Sequence, residues 1–82
     1  MSNEEILIRL NTLVGDLLQI DDLQLSRDMT AQDVPGWSSL AHVRIVVAVE
    51  QAFGVRFSTS EITSLKTIDD LVKLIDRHSG RR

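Results

Sequence analysis

The sequence contains no cysteine, no tyrosine and one proline, and its aromatic residues are two phenylalanines and one tryptophan. The absence of cysteine excludes disulfides, thiolate metal sites and a cysteine nucleophile. So few aromatic rings, with basic residues scattered along the chain, provide neither the stacking platforms nor the basic stripe of a nucleic-acid-binding protein. No apolar run approaches the length of a membrane span, and the N-terminus lacks the pattern of a signal peptide. We therefore expect a cytoplasmic protein with neither nucleic-acid nor membrane partners.

Length and composition predict one small folded domain over residues 1–82. The chain is 43% hydrophobic and 26% charged, which is typical of globular proteins and not of disordered segments. A domain of this size has little room for a broad internal active site. The net charge of −3 is uneven, because residues 1–35 carry seven acids and two bases, whereas residues 36–82 carry five acids and seven bases.

The beginning of the chain predicts an amphipathic helix from Asn3 to Leu18. Ser2 followed by Glu5 is the pattern of a capping box, which starts a helix. Gly15 costs roughly 1 kcal/mol relative to alanine inside a helix, so we expect close packing at this residue. The apolar positions have helical spacing. Their main stripe is Ile6, Leu10, Leu13 and Leu17, widened by Leu7, Val14 and Leu18.

A long connection, residues 19–38, separates this helix from the next. It shows no sustained periodicity, and Pro35-Gly36 is a turn pattern. Loops of this length are uncommon in compact domains, so we expect its apolar residues to be anchored on the core. These residues are Ile20, Leu23, Leu25, Met29 and Val34.

A second helix is predicted from Ser39 to Phe53. Its many β-branched residues favour a strand by propensity. The run is long, however, begins at a serine and is followed by Gly54, and these three features favour a helix. The expected inward face consists of Leu40, Val43, Val46 or Val47, Val49 or Glu50, and Phe53.

The last third of the chain predicts a short helix and a final long one. After an extended link at residues 55–57, Ser58 or Ser60 can cap a short helix that continues to Leu65. Thr67 with Asp70 repeats the capping-box pattern and starts a helix that runs to about residue 78. The residues expected to end this helix are Gly80, Arg81 and Arg82. Three main helices, one short helix and a long first loop predict an all-α fold, a small antiparallel bundle.

The segment Gly36-Trp37-Ser38-Ser39-Leu40 places two serines where the long loop becomes a helix. A hydroxyl at this position lies beside the free N–H groups of the first turn and at the positive end of the helix dipole. An anion attached to such a hydroxyl is stabilised there. A serine at this position is also an ordinary N-cap, so the pattern by itself does not establish a site.

The residues that follow resemble the second helix of acyl carrier proteins. Ser39 followed by Leu40 opens this helix, Glu50-x-x-Phe53-Gly54 ends it, and the segment from Thr67 to Val72 resembles the start of the last helix of that family. The resemblance covers most of the chain and implies the same layout of helices. It also implies that 4′-phosphopantetheine, derived from coenzyme A, is attached covalently to Ser39.

The resemblance implies a carrier and not an enzyme. His42 can share a helix face with Ser39, but no acid is spaced to orient its imidazole, so no catalytic residue is predicted, and neither is a metal ligand. A phosphopantetheinyl transferase would attach the arm, and acyl-loading and acyl-processing enzymes of fatty acid or polyketide biosynthesis would act on the thioester cargo. The carrier supplies a tether and a docking face, which raises the effective concentration of the cargo at each enzyme. We expect it to be a monomer.

Two departures from the family pattern concern its partners. Ser38 stands where the family commonly has aspartate. Serine and aspartate cap a helix about equally well. The acid that basic residues of a transferase would recognise is, however, missing. Ala41, Arg44 and Gln51 occupy positions where acids are frequent, and Glu50 alone retains one. Because charge governs docking, these substitutions predict a specialised pathway and not bulk fatty-acid synthesis. The expected docking residues are Trp37, Ser38, Leu40, Arg44 and Glu50.

Several alternatives stay open at this point. The arm could be attached to Ser38, although that residue is not followed by leucine. The chain could be an aminoacyl or peptidyl carrier, or an unmodified interaction module descended from carriers. Trp37 can be a loop anchor on the core or a platform beside the arm. Ile62 and Leu71, where carriers that engulf long acyl chains tend to have smaller side chains, can fill the interior or simply belong to an ordinary core.

Overall fold

The structure, a computed structural model, describes residues 2–79, and their helices are those of an all-α bundle. The helices are α1 (Asn3–Leu18), α2 (Ser39–Phe53), α3 (Thr59–Thr63) and α4 (Ile68–Ser79). A 3-10 turn at Ala31–Asp33 interrupts the long connection. Helix α1 packs against both α2 and α4. The predicted fold class, three main helices with one short helix, is confirmed; the expected helix end at Gly80, Arg81 and Arg82 lies outside the described residues.

Helix α1 has the predicted bounds and the predicted capping box. The Ser2 hydroxyl accepts a hydrogen bond from the Glu5 amide at 3.1 Å, and the Glu5 carboxylate accepts one from the Ser2 amide at 2.9 Å. A Cβ on Gly15 would lie 3.0 Å from the carbonyl oxygen of Ile20, so this glycine allows the chain that leaves the helix to fold back against it. The close packing expected at Gly15 is therefore present, and its partner is the following loop.

The inward stripe of α1 differs from the prediction. Its buried residues are Ile6, Leu10, Val14 and Gly15. Leu13 is half-buried, and Leu17 is 40% exposed. The prediction was wrong for Leu17. Ile6, Leu10 and Val14, spaced four residues apart, pack against the neighbouring helices. Leu17 lies beside this row on the helix surface and is therefore exposed.

Helix α2 is a helix despite its β-branched run, as predicted. Ser38 caps its start, and Gly54 ends it in the left-handed conformation with φ 67°. The predicted inward face was wrong in part: the buried residues are Ile45, Val46 and Val49. Leu40 and Val43 are exposed instead, and of the alternatives Val46 and Val47 it is Val46 that is buried. Because α2 has apolar residues on more than one face, only its packing against α1 selects the buried one.

The long connection is anchored on the core, as predicted. Leu25 and Val34 are buried, and the other apolar residues of the loop pack against the core. The carbonyls of Arg27 and Met29 accept hydrogen bonds of 2.8 Å from the amides of Asp69 and Ile68, which begin α4. The loop thus satisfies donors that a helix N-terminus leaves without an intrahelical partner.

The last two helices begin at capping boxes. Ser58 and Glu61 cap α3, which ends at Thr63, two residues before the predicted end at Leu65. Thr67 and Asp70 cap α4 as predicted, with hydrogen bonds of 3.1 and 3.2 Å. The residues that α4 buries are Ile68, Leu71, Val72, Leu74 and Ile75. The Glu61 carboxylate also lies 2.9 Å from Nε2 of His78, which ties α3 to the end of α4.

The hydrogen bonds of the Glu61 carboxylate should make part of the free energy of unfolding depend on pH. Hydrogen bonds from the Ser58 amide and from His78 lower the pKa of this carboxyl from its ordinary value. A lowered folded-state pKa stabilises the fold above the ordinary glutamate pKa, and this contribution is lost as the pH falls through the folded-state value. We expect Glu61→Gln to lower the free energy of unfolding at pH 7 and to match the wild type at acidic pH.

Urea unfolding of both proteins between pH 7 and pH 3 measures this difference. Asp16→Asn, which removes an exposed carboxylate from α1, is the control for a general effect of charge. A gap between wild type and Glu61→Gln that is constant over the whole pH range would contradict the assigned role.

Candidate functional site

The two serines at the start of α2 have different structural roles. Ser38 is the N-cap in an extended conformation, and its hydroxyl accepts a hydrogen bond from the Ala41 amide at 3.2 Å. Ser39 is the first residue of the helix, and it is exposed. Gly36, with φ 84°, turns the chain into this position, and its carbonyl accepts a bond of 3.0 Å from the Ser38 amide. The turn and the cap together present the Ser39 side chain at the surface.

The electrostatics at Ser39 suit an attached phosphodiester. The residue lies at the positive end of the α2 dipole, where a negative charge is stabilised. The first turn of α2 contains no acid, so no carboxylate of that turn repels the anion. An exposed hydroxyl in this field therefore fits a covalently held anionic arm.

Trp37 and His42 flank the serines and contact each other. Nε1 of Trp37 donates a hydrogen bond of 3.2 Å to Nδ1 of His42, and the ring centroids are 6.2 Å apart. Trp37 is half-buried and packs against the core, as expected of a loop anchor. His42 is half-buried as well. Nδ1 is the acceptor of this hydrogen bond. The bond therefore holds the imidazole of His42 against Trp37 of the long loop.

Three of the expected docking residues come together and two lie apart from them. Ser38, Leu40 and Arg44 line a shallow groove of about 310 Å³ between the start of α2 and the end of α1. Trp37 instead faces the interior beside His42. The Glu50 carboxylate is half-buried and accepts a hydrogen bond of 2.9 Å from the Phe57 amide. Through that bond the Glu50 side chain holds the segment that follows α2.

Except for Leu40, which was an expected docking residue, an exposed apolar stripe on α2 was missed by the sequence analysis. Leu40, Val43 and Val47 are 66%, 59% and 45% exposed and share one helix face. Arg44 and Gln51, both exposed, lie on the same side of the helix. The signal was present in the sequence, because eight of the ten residues from 40 to 49 are apolar and one buried stripe does not need so many.

Known proteins match nearly the whole of this architecture. Residues 9–75 match the family described as phosphopantetheine attachment site. The acyl carrier protein of Prochlorococcus marinus is 31% identical over 80 residues, covering 98% of this chain and 100% of that protein. The acyl carrier protein of Acidothermus cellulolyticus is 35% identical, covering 92% of this chain and 89% of that protein. The chain belongs to the acyl carrier protein family.

A solved structure agrees with this membership of the acyl carrier proteins. The solution structure of the holo acyl carrier protein from Geobacter metallireducens superposes with a TM-score of 0.85 at 29% identity, covering 92% of this chain and 86% of that one. This acyl carrier is accordingly a non-catalytic protein that holds 4′-phosphopantetheine covalently. Its partners are of two classes, phosphopantetheinyl transferases and acyl-processing enzymes. Among residues 2–79, none of the helices is long and apolar enough to span a membrane.

Proposed function

We propose that Ser39 carries the 4′-phosphopantetheine arm and that the protein delivers acyl thioesters to enzymes of a specialised biosynthetic pathway. The observation that carries the attachment site is the division of roles at the start of α2. Both serines are exposed at the positive end of the helix, but the Ser38 hydroxyl is occupied as the helix cap, whereas Ser39 is the first residue of the helix and does not cap it. Modification of Ser38 would place a phosphodiester on the cap itself.

Loading exchanges the phosphoanhydride bond of coenzyme A for a phosphodiester bond to Ser39. The Ser39 oxygen forms a bond to the phosphorus of coenzyme A that bears the pantetheine, and the pyrophosphate bond to that phosphorus breaks. Adenosine 3′,5′-bisphosphate leaves, and the hydroxyl proton passes to a base of the transferase. When bound, the arm supplies a terminal thiol that holds the acyl group as a thioester. Ser39 then provides only the anchor, and the dipole of α2 stabilises the phosphodiester.

Peptide mapping tests the attachment site. The protein is incubated with coenzyme A and a broad-specificity transferase, digested, and fragmented to locate the adduct. We expect one phosphopantetheine per chain, on Ser39. An adduct on Ser38, or no adduct at all, would contradict the proposal.

The docking face that we propose is the exposed side of α2 beside Ser39. It consists of the apolar stripe Leu40, Val43 and Val47 with Arg44 at its edge. Exposed apolar patches with polar rims are typical of protein–protein contacts. We leave Glu50 out of this face because its carboxylate is bonded to the Phe57 amide.

The charge of this face supports a specialised pathway. Between Ser39 and Val49 the helix contains no acid, and it carries the basic residue Arg44. A partner whose docking patch is basic would meet a like charge at Arg44, which disfavours association. We further propose that the chain acts as a single monomeric carrier domain in the cytoplasm.

Restoring an acid before the modified serine gives a test of recognition by the transferase. We expect Ser38→Asp to be loaded faster by a housekeeping transferase at low salt, because basic residues on such an enzyme would pair with the acid. The free energy of unfolding should change by about 0.5 kcal/mol or less, because serine and aspartate are nearly equal N-caps. Initial loading rates at low and high salt, with urea unfolding of both proteins, measure the two effects. Equal rates at low salt would show that the acid has no role in recognition.

A further inference from the structure

A small cavity lies directly behind the start of α2. Its volume is about 30 Å³, and its walls come from the long loop, from α2 and from the segment that leads into α4. The lining is mainly apolar, and the part of it nearest to Ser39 in the chain is Trp37 and His42. The other residues that line it are Ala31, Leu65, Lys66, Thr67, Ile68 and Leu71.

The cavity is too small for an acyl chain. One water molecule needs about 10–15 Å³, whereas a cavity that binds benzene has about 150 Å³. A volume of about 30 Å³ therefore has room for no more than the first atoms of an acyl group. Ile68 and Leu71, which are buried, close the cavity from the side of α4.

Trp37 and His42 close the cavity on the side of the attachment serine. They stand two residues before and three residues after Ser39, and they are the cavity-lining residues nearest to it in the chain. The indole N–H donates to Nδ1 of His42 at 3.2 Å, which satisfies a donor of one half-buried ring and an acceptor of the other. Opening the pair breaks this bond and exposes apolar surface of the indole, and both changes cost free energy.

We propose that Trp37 and His42 form a closed lid that keeps the acyl cargo outside the helical bundle. They are specificity-determining residues of the carrier, because cargo that stays outside is read by its partner enzymes over its whole length. This inference rests on the proposed attachment of the arm to Ser39. Whether the arm is attached there is measured separately, by peptide mapping of the loaded protein.

The test compares cargo lengths on one protein. Acetyl, butyryl and octanoyl arms are loaded from the corresponding coenzyme A thioesters, and intact mass confirms one arm per chain. Thermal unfolding and the amide NMR shifts of Leu65, Ile68 and Leu71 then report on the interior. For the wild type we expect no dependence of either measurement on chain length.

Removing the lid should introduce that dependence. In Trp37→Ala the melting temperature should rise by about 4 °C or more from acetyl to octanoyl, because added methylenes become buried. The NMR shifts of the three amides should change with chain length as well. Trp37→Leu and His42→Ala make the same test should Trp37→Ala fail to fold. Ile8→Ala, which removes an exposed apolar side chain from α1, is the control and should behave as the wild type does.

A second variant tests whether the cargo is excluded by the lid or simply because the interior is filled. Leu71→Ala enlarges the cavity from the side of α4 and leaves Trp37 and His42 in place. We expect it to remain insensitive to chain length. Length-dependent shifts in wild type or in Leu71→Ala would overturn the lid, as would insensitivity of all the lid variants. Failure to load any arm would instead refute the attachment at Ser39.

Discussion

Ser39→Ala is expected to abolish loading of the protein without loss of its fold. The substitution removes the one hydroxyl that the proposal assigns to the arm, so no phosphopantetheine should be found by intact mass after incubation with coenzyme A and a broad-specificity transferase. Ser39 is an exposed residue and its hydroxyl is not the cap of α2. The free energy of unfolding should therefore change by about 0.5 kcal/mol or less.

The neighbouring serine provides a matched control with the opposite pattern. Ser38→Ala removes the acceptor for the Ala41 amide and should lower the free energy of unfolding by about 1 kcal/mol. It should still be loaded to completion. Loading that survives in Ser39→Ala and disappears in Ser38→Ala would move the attachment site to Ser38.

The second large effect is expected at the docking face. The double variant Arg44→Glu with Gln51→Glu should bind a housekeeping ketosynthase with a basic docking patch at least about tenfold faster than wild type at low salt. The physical reason is the exchange of a like charge at Arg44 for two complementary charges on the exposed face of α2. Stopped-flow association of the holo proteins with the ketosynthase measures the rate.

A salt series and a second double variant make this test specific. Charge steering between exposed groups is screened over about 10 Å at 0.1 M salt, so the advantage should fall as salt rises. Arg56→Glu with Gln32→Glu makes the same change of net charge at exposed residues outside α2. An equal gain for both double variants would show an effect of net charge only. Equal binding of wild type and the α2 variant at low salt would contradict a specialised docking face.

The helix boundaries were predictable because their signals are local. A capping box is a matter of two residues three positions apart, and the pairs at the start of α1 and of α4 form the bonds that their spacing predicts. Helix α2 was predictable for the same reason, because Ser38 and Gly54 mark its ends whatever the propensity of the residues between them. The family pattern around Ser39 is equally local, since it consists of a short segment with fixed spacing.

The faces of the helices and the roles of single polar side chains were not predictable from the sequence. Leu40 and Val43 were expected inside and are exposed, because a helix with apolar residues on several sides has no preferred rotation until a neighbour packs against it. Glu50 was expected at the docking face, and its carboxylate caps the Phe57 amide instead. Phe57 lies seven residues after Glu50 in the chain, and whether its amide meets the Glu50 carboxylate depends on how the chain turns after α2.

The sequence by itself determined the class of fold, the ends of its main helices and the family, because each of these depends on spacing along the chain. Only the tertiary structure decided which apolar residues of α2 remain at the surface and that Trp37 and His42 meet over a nearly filled cavity. The first feature depends on how α2 packs against α1, and the second on where the long loop and the start of α4 lie around the cavity. Burial and contact are properties of pairs of elements, and a pattern within one element does not contain them.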